Sequence, residues 1–175
     1  PRQLLFDNTF HLGTGISFPE FMLYNLETDA DERRIDIKNV SAPYNSIGAL
    51  EVSWKPLGGV DESAWANEIA DVEDPAQLVG RPWTYRVSIV GATGLPFMVD
   101  HAFVQYQFDG QVYTTETIEQ ATHNPEFNYA CIHHVEHVTE AFVASLKRPL
   151  QFNVWVSPYV VHTGEPVSTS NPRVL

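Results

Sequence analysis

Ala102-Phe103-Val104-Gln105-Tyr106-Gln107-Phe108-Asp109-Gly110-Gln111-Val112-Tyr113-Thr114 is the stretch that decides the fold class. Val104, Tyr106 and Phe108 fall on one side of a two-residue alternation, the period of a half-buried strand. Asp109-Gly110 follows at once and is the strongest short hairpin signal in the chain. Beyond it, Gln111 to Ile118 is rich in Thr, Tyr and Val, which suit a pleated surface. The stretch predicts two antiparallel strands around a tight turn.

The same alternation recurs on both sides. Leu50, Val52 and Trp54 alternate with Glu51, Ser53 and Lys55, and Tyr85, Val87 and Ile89 alternate with Thr84, Arg86 and Ser88. Leu150, Phe152, Val154 and Val156 alternate with Gln151, Asn153 and Ser157. Phe10 to Phe18, Arg33 to Val40 and Ile47 to Trp54 are further strand candidates. Gly91 to Pro96 and Asn124-Pro125 break the runs between them. The spacing predicts an all-β antiparallel sandwich of about eight strands. Two short helices interrupt it. Thr139 can cap one through Leu146, with Phe142, Val143 and Leu146 on one face, Lys147 and Arg148 in its last turn, and Pro149 beyond. Asp61 can cap the other, Glu62 to Ala70, with Trp65 and Ile69 four apart.

Composition narrows the function. The formal net charge is −12, so nucleic acid and anionic lipid headgroups repel the chain and direct membrane binding is disfavoured. Arg33, Arg34 and Lys38 are interleaved with Asp29, Asp31, Glu32 and Asp36 and read as a solvated mixed-charge hairpin. Cys131 is the only cysteine, so no internal disulfide forms, which fits a reducing compartment. No apolar run is long enough to span a bilayer. Pro1 to Phe6 does not fit a signal peptide, and the start without Met reads as a segment of a longer polypeptide.

No phosphate-binding glycine loop, nucleophile elbow or His-Glu-x-x-His is present. Cys131, His133 and His137 would share one face of a strand, a conceivable zinc set, and with His134 they invite a thiol–imidazole pairing. A nucleophile would also need an oxyanion hole and an orienting third group, and neither can be named. These imidazoles therefore read as lining an edge or solvent-facing strand, with no catalytic residue, metal or cofactor expected. Calcium needs several carboxylates from neighbouring loops. The loop after Val90 offers Asp100, and the segment after Val156 offers Glu165, so no calcium site is expected there.

Apolar surface is the remaining lead. Leu95, Pro96, Phe97 and Met98 form an apolar loop tip, and Trp155 falls opposite Phe152, Val154 and Val156 in its strand. Either the linker helix covers Trp155 or Trp155 meets a partner, as tryptophan does at binding hot spots. These five residues are the candidate partner-binding set.

Several segments carry a family resemblance. They are Asp74 to Ile89 followed by Ala92-Thr93-Gly94-Leu95-Pro96, Phe103 to Phe108, Asn124-Pro125-Glu126-Phe127-Asn128-Tyr129, and Val138 to Phe142 running into Leu150 to Trp155. Leu12 to Phe18 and Gly48 to Ser53 precede them in the right order. Together, over roughly residues 5 to 158, they resemble the stalk region of kinesin-3 motors, which follows the motor and forkhead-associated domains. The resemblance implies a C2-like module of a microtubule motor, cytoplasmic or ciliary and associated with the cytoskeleton. It would be dimeric through coiled coils elsewhere, would serve cargo attachment or autoinhibition, and would leave ATP hydrolysis to the motor. A calcium-independent lipid-binding C2 domain is the alternative. Leu12 to Phe18 and Ile47 to Trp54 resemble closing C2 strands, and Tyr85 onward resembles opening ones. The expectation is one circularly permuted sandwich over residues 5–165, with an acidic linker at 58–82 and a tail at 166–175, rather than the ends of two domains.

Overall fold

The computed structural model describes residues 8–58 and 72–161. In these residues eight strands form one antiparallel sheet. They are β1 (Phe10–Ser17), β2 (Arg34–Asn39), β3 (Ser46–Gly58), β4 (Trp83–Thr93), β5 (Val99–Phe108), β6 (Gln111–Thr114), β7 (Glu126–Val135) and β8 (Leu150–Pro158). The order across the sheet is β6-β5-β8-β1-β2-β3-β4-β7. The sheet curls over so that its two ends face each other, giving a C2-like sandwich. β1 pairs with β8 from Phe10↔Val156 to Ser17↔Leu150, and β3 pairs with β4 from Ala49↔Thr93 to Gly58↔Thr84. The early and late strands thus interleave in one sheet.

The layers join through a short ladder between β1 and β2, Gly13↔Asn39 to Gly15↔Ile37. Its tightness explains Gly13: a Cβ there would lie 2.6 Å from Ile37 Cγ2 and 2.7 Å from the Lys38 carbonyl oxygen. The hairpin between β5 and β6 turns through Asp109 (φ 50°) and Gly110 (φ 78°), the conformation that this dipeptide favours.

Inward residues of the facing layers meet around Trp54, which is 1% exposed. Its ring lies 5.9 Å from Phe108, 6.1 Å from Phe152 and 6.2 Å from Tyr85. A buried indole N–H needs an acceptor, and Trp54 donates to Ser17 Oγ at 3.1 Å. Thr28 holds its backbone, accepting from Trp54 N at 2.9 Å and donating its own N–H to the Trp54 carbonyl at 3.0 Å.

The helix α1 (Glu140–Leu146) starts at Thr139, whose Oγ1 accepts from Phe142 N at 3.1 Å, and it buries Phe142, Val143 and Leu146 as its spacing predicts. The second expected helix, Glu62 to Ala70, lies outside the described residues. The strand expected to reach Ile118 stops at Thr114, because Thr115 turns inward. Val104 donates to Thr115 Oγ1 at 3.0 Å, and Ile118 rejoins at Ala102 as an isolated bridge. A 3-10 turn at Pro19–Tyr24, which no alternation announced, plugs the core with fully buried Met22 and Leu23. The end of the acidic linker docks onto the body: Leu78 is buried, and Gly80 donates to the Val138 carbonyl at 2.7 Å. Among the described residues no helix is long and apolar enough to cross a membrane.

Truncating Trp54 to alanine empties the centre of this packing and is expected to cost about 3–5 kcal/mol of stability, read by urea unfolding. Thr139→Ala removes only the cap of α1 and is expected to cost about 1 kcal/mol in the same assay.

Candidate functional site

The apolar loop sits at one end of the sandwich. It is held from beneath: Gly94 donates to Asn124 Oδ1 at 2.8 Å, and Leu95 donates to the His123 carbonyl at 3.3 Å. The chain leaves the loop into β5, where Tyr159 donates to the Met98 carbonyl at 2.9 Å. Pro96 and Met98 are exposed, and Phe97 is half-buried with its ring 6.1 Å from that of Phe10. Leu95 corrects the expected set. It is 5% exposed and packs into the core, so it anchors the loop and offers nothing to a partner. Phe10 and Tyr159, which sequence reasoning did not single out, are both exposed and extend the apolar rim. Their only sequence signal was an apolar residue at a strand end.

Trp155 lies apart from this rim on the outer face of β8. It is half-buried between its cross-strand neighbours, with ring centroids 5.0 Å from His11 and 6.2 Å from Phe103. Its indole N–H is buried and meets no acceptor among the described residues. The helix expected to cover it lies outside those residues. Asp100, the one carboxylate of the loop, is paired with His101 Nδ1 at 3.5 Å.

β7 is an edge strand, as expected of the histidine-bearing run. Of the three residues that a strand would have put on one face, Cys131 and His133 stay together and His137 departs. The strand ends at Val135, so His137 sits in the following bend and is exposed. His134 points outward and shares a 2.8 Å hydrogen bond with Thr84 Oγ1. His133 points inward. Among the described residues no group of three His, Cys, Asp or Glu side chains converges on a common point.

His133 belongs instead to an aromatic cluster at the open seam of the sandwich. It is 8% exposed, stacks on Tyr85 at 4.9 Å and meets Tyr113 edge-on at 4.4 Å. Its Nε2 lies 3.2 Å from the Tyr106 hydroxyl, which lies 2.9 Å from that of Tyr129. Burial disfavours charge on every member. It raises Tyr85, Tyr106 and Tyr113 above the ordinary phenol value, pushes Tyr129 up to about 12, and lowers His133 below the ordinary imidazole value. The cluster is neutral at neutral pH. Sequence reasoning missed it because its members come from β4, β5, β6 and β7.

The lowered His133 value makes stability depend on pH. The unfolded chain binds the imidazole proton at about pH 6.5, and the folded chain binds it only at lower pH. The stabilising preference for neutral His133 is therefore complete above about pH 6.5 and is lost as pH falls to the folded value. Unfolding free energy between about pH 8 and about pH 5 is expected to fall more steeply with acid in the native chain than in His133→Gln. No protein-family model matches the chain, and no curated protein matches it.

Proposed function

We propose that this chain is a non-catalytic partner-binding module. On this reading it is a stalk segment of a kinesin-3-like microtubule motor that serves cargo attachment or intramolecular packing against the motor. The observation that carries the reading is the apolar rim at one end of the sandwich, where Phe97 and Met98 meet Phe10 and Tyr159. The rim draws on three adjacent strands, β1, β5 and β8, so it is held rigidly. A rigid apolar rim is suited to bury a few anchoring side chains of a protein partner. The resemblance in strand order and in the segments around Trp83, Phe103 and Phe127 supports placing the module in the motor's stalk. The strand order is read as a permuted C2 arrangement, and the parent as cytoskeletal.

The exposed Pro96 and Met98 tip also suits shallow insertion into lipid, and this is the competing reading. The net charge of −12 opposes it at an anionic bilayer. A pull-down against motor and adaptor segments of a kinesin-3, run beside flotation on anionic vesicles, separates the two. Capture of a motor or adaptor segment is expected. Phe97→Ser with Met98→Asp is expected to weaken it at least about tenfold. Strong flotation with no capture by any segment would sink the reading.

A further inference from the structure

The curled sheet leaves one seam open. Its end strands, β6 and β7, each have a neighbour on one side only among the described residues, and they face each other across a cleft of about 360 Å³. That volume lies within the range of ligand-binding clefts. Gln111 and Tyr113 of β6 line one wall, residues 131–135 of β7 line the other, and Tyr85 and Phe142 close the inner side. Asp109 stands at the rim, on the hairpin turn.

Two lining residues are more than nine-tenths buried, and each keeps one polar atom at the cleft surface that bonds no described residue. Tyr85 is 2% exposed, and its hydroxyl makes no hydrogen bond with a described residue. His133 is 8% exposed and uses only Nε2, toward Tyr106, so its Nδ1 has no partner among the described residues. Neither atom is sealed from solvent, so each opens onto the cleft, where a ligand group can reach it. The charge of the cleft has one sign. Asp109 makes no ion pair among the described residues and lies near enough to Tyr85 and Tyr113 to disfavour their ionisation, and among the described residues no Lys or Arg lines the walls. Aromatic faces beside a carboxylate attract an organic cation.

We propose that the β6–β7 seam binds an extended polypeptide segment that places a lysine or arginine side chain in this cleft. The cation sits against the rings of Tyr113 and Phe142 and donates to the Asp109 carboxylate and the Tyr85 hydroxyl. The peptide backbone pairs with the free edge of β7, the mode by which an exposed sheet edge takes an added strand. The site is separate from the apolar rim and does not rest on the motor reading, so either can fail without the other.

Cys131 lines the same cleft and is the only cysteine, so its alkylation reports occupancy. Iodoacetamide modification of the full chain is followed by mass spectrometry with three probes. These are a short blocked peptide of alternating Thr and Val with one central arginine, its glutamine-centred counterpart, and free arginine amide. The arginine peptide is expected to slow alkylation in a saturable manner, and the glutamine peptide is not. Asp109→Asn, exposed and outside the core, is expected to weaken the protecting peptide about tenfold at unchanged melting temperature. Tyr113→Leu is expected to weaken the protecting peptide as well, with some loss of melting temperature because its ring packs on Tyr106. Equal protection by both peptides, protection by neither, or full protection by arginine amide alone would overturn the proposal.

Discussion

The interaction on which the molecule depends is the contact of Trp54 with rings from the opposite layer. Phe108 and Phe152 reach it from β5 and β8, and Tyr85 flanks it on β4. A single curled sheet does not close by backbone hydrogen bonding, because its end strands pair on one side only among the described residues. Closure must come from side chains, and aromatic rings supply the most buried area per contact. Ser17 and Thr28 satisfy the polar atoms of Trp54, so its burial carries no stranded donor.

Closure by packing has a consequence at the seam. The layers touch fully where Trp54, Phe108 and Phe152 interdigitate. Toward β6 and β7 they leave a gap lined by tyrosine and histidine rings, with Ile132 and Val135 beside them. Tyr106 spans the transition. Its ring packs against Phe152 at 5.2 Å, while its hydroxyl reaches Tyr129 and His133. One side chain thus ends the apolar core and begins the polar cluster. A neutral, mostly hydrogen-bonded group of this kind keeps the layers in register without introducing a buried charge.

Much of this was legible in the residues. The inward faces of β3, β4, β5 and β8 are the apolar faces of their alternations, and Asp109-Gly110 and Thr139 sit at the turn and cap where local chemistry puts them. The loop at Gly94 to Met98 was legible as apolar but not as half-anchored. Nothing local separates Leu95 from Met98; only the packing of the loop under Asn124 turns one inward and leaves the other outside. The histidine run was legible as an edge strand but not in the direction of each imidazole. Spacing alone placed His137 with Cys131 and His133, but β7 ends at Val135, where the chain bends toward α1.

By itself the sequence determined the strand periodicity, the hairpin, the helix cap and the antiparallel all-β class, because each depends on residues near one another in the chain. Tertiary structure alone decided that β6 and β7 end up facing across a cleft. It also decided that Tyr85, Asp109, Tyr113 and His133 meet there, and that Met22 and Leu23 plug the core. Those meetings join residues from separate elements. They depend on how far the sheet curls, which is set by long-range ring packing rather than by any local preference.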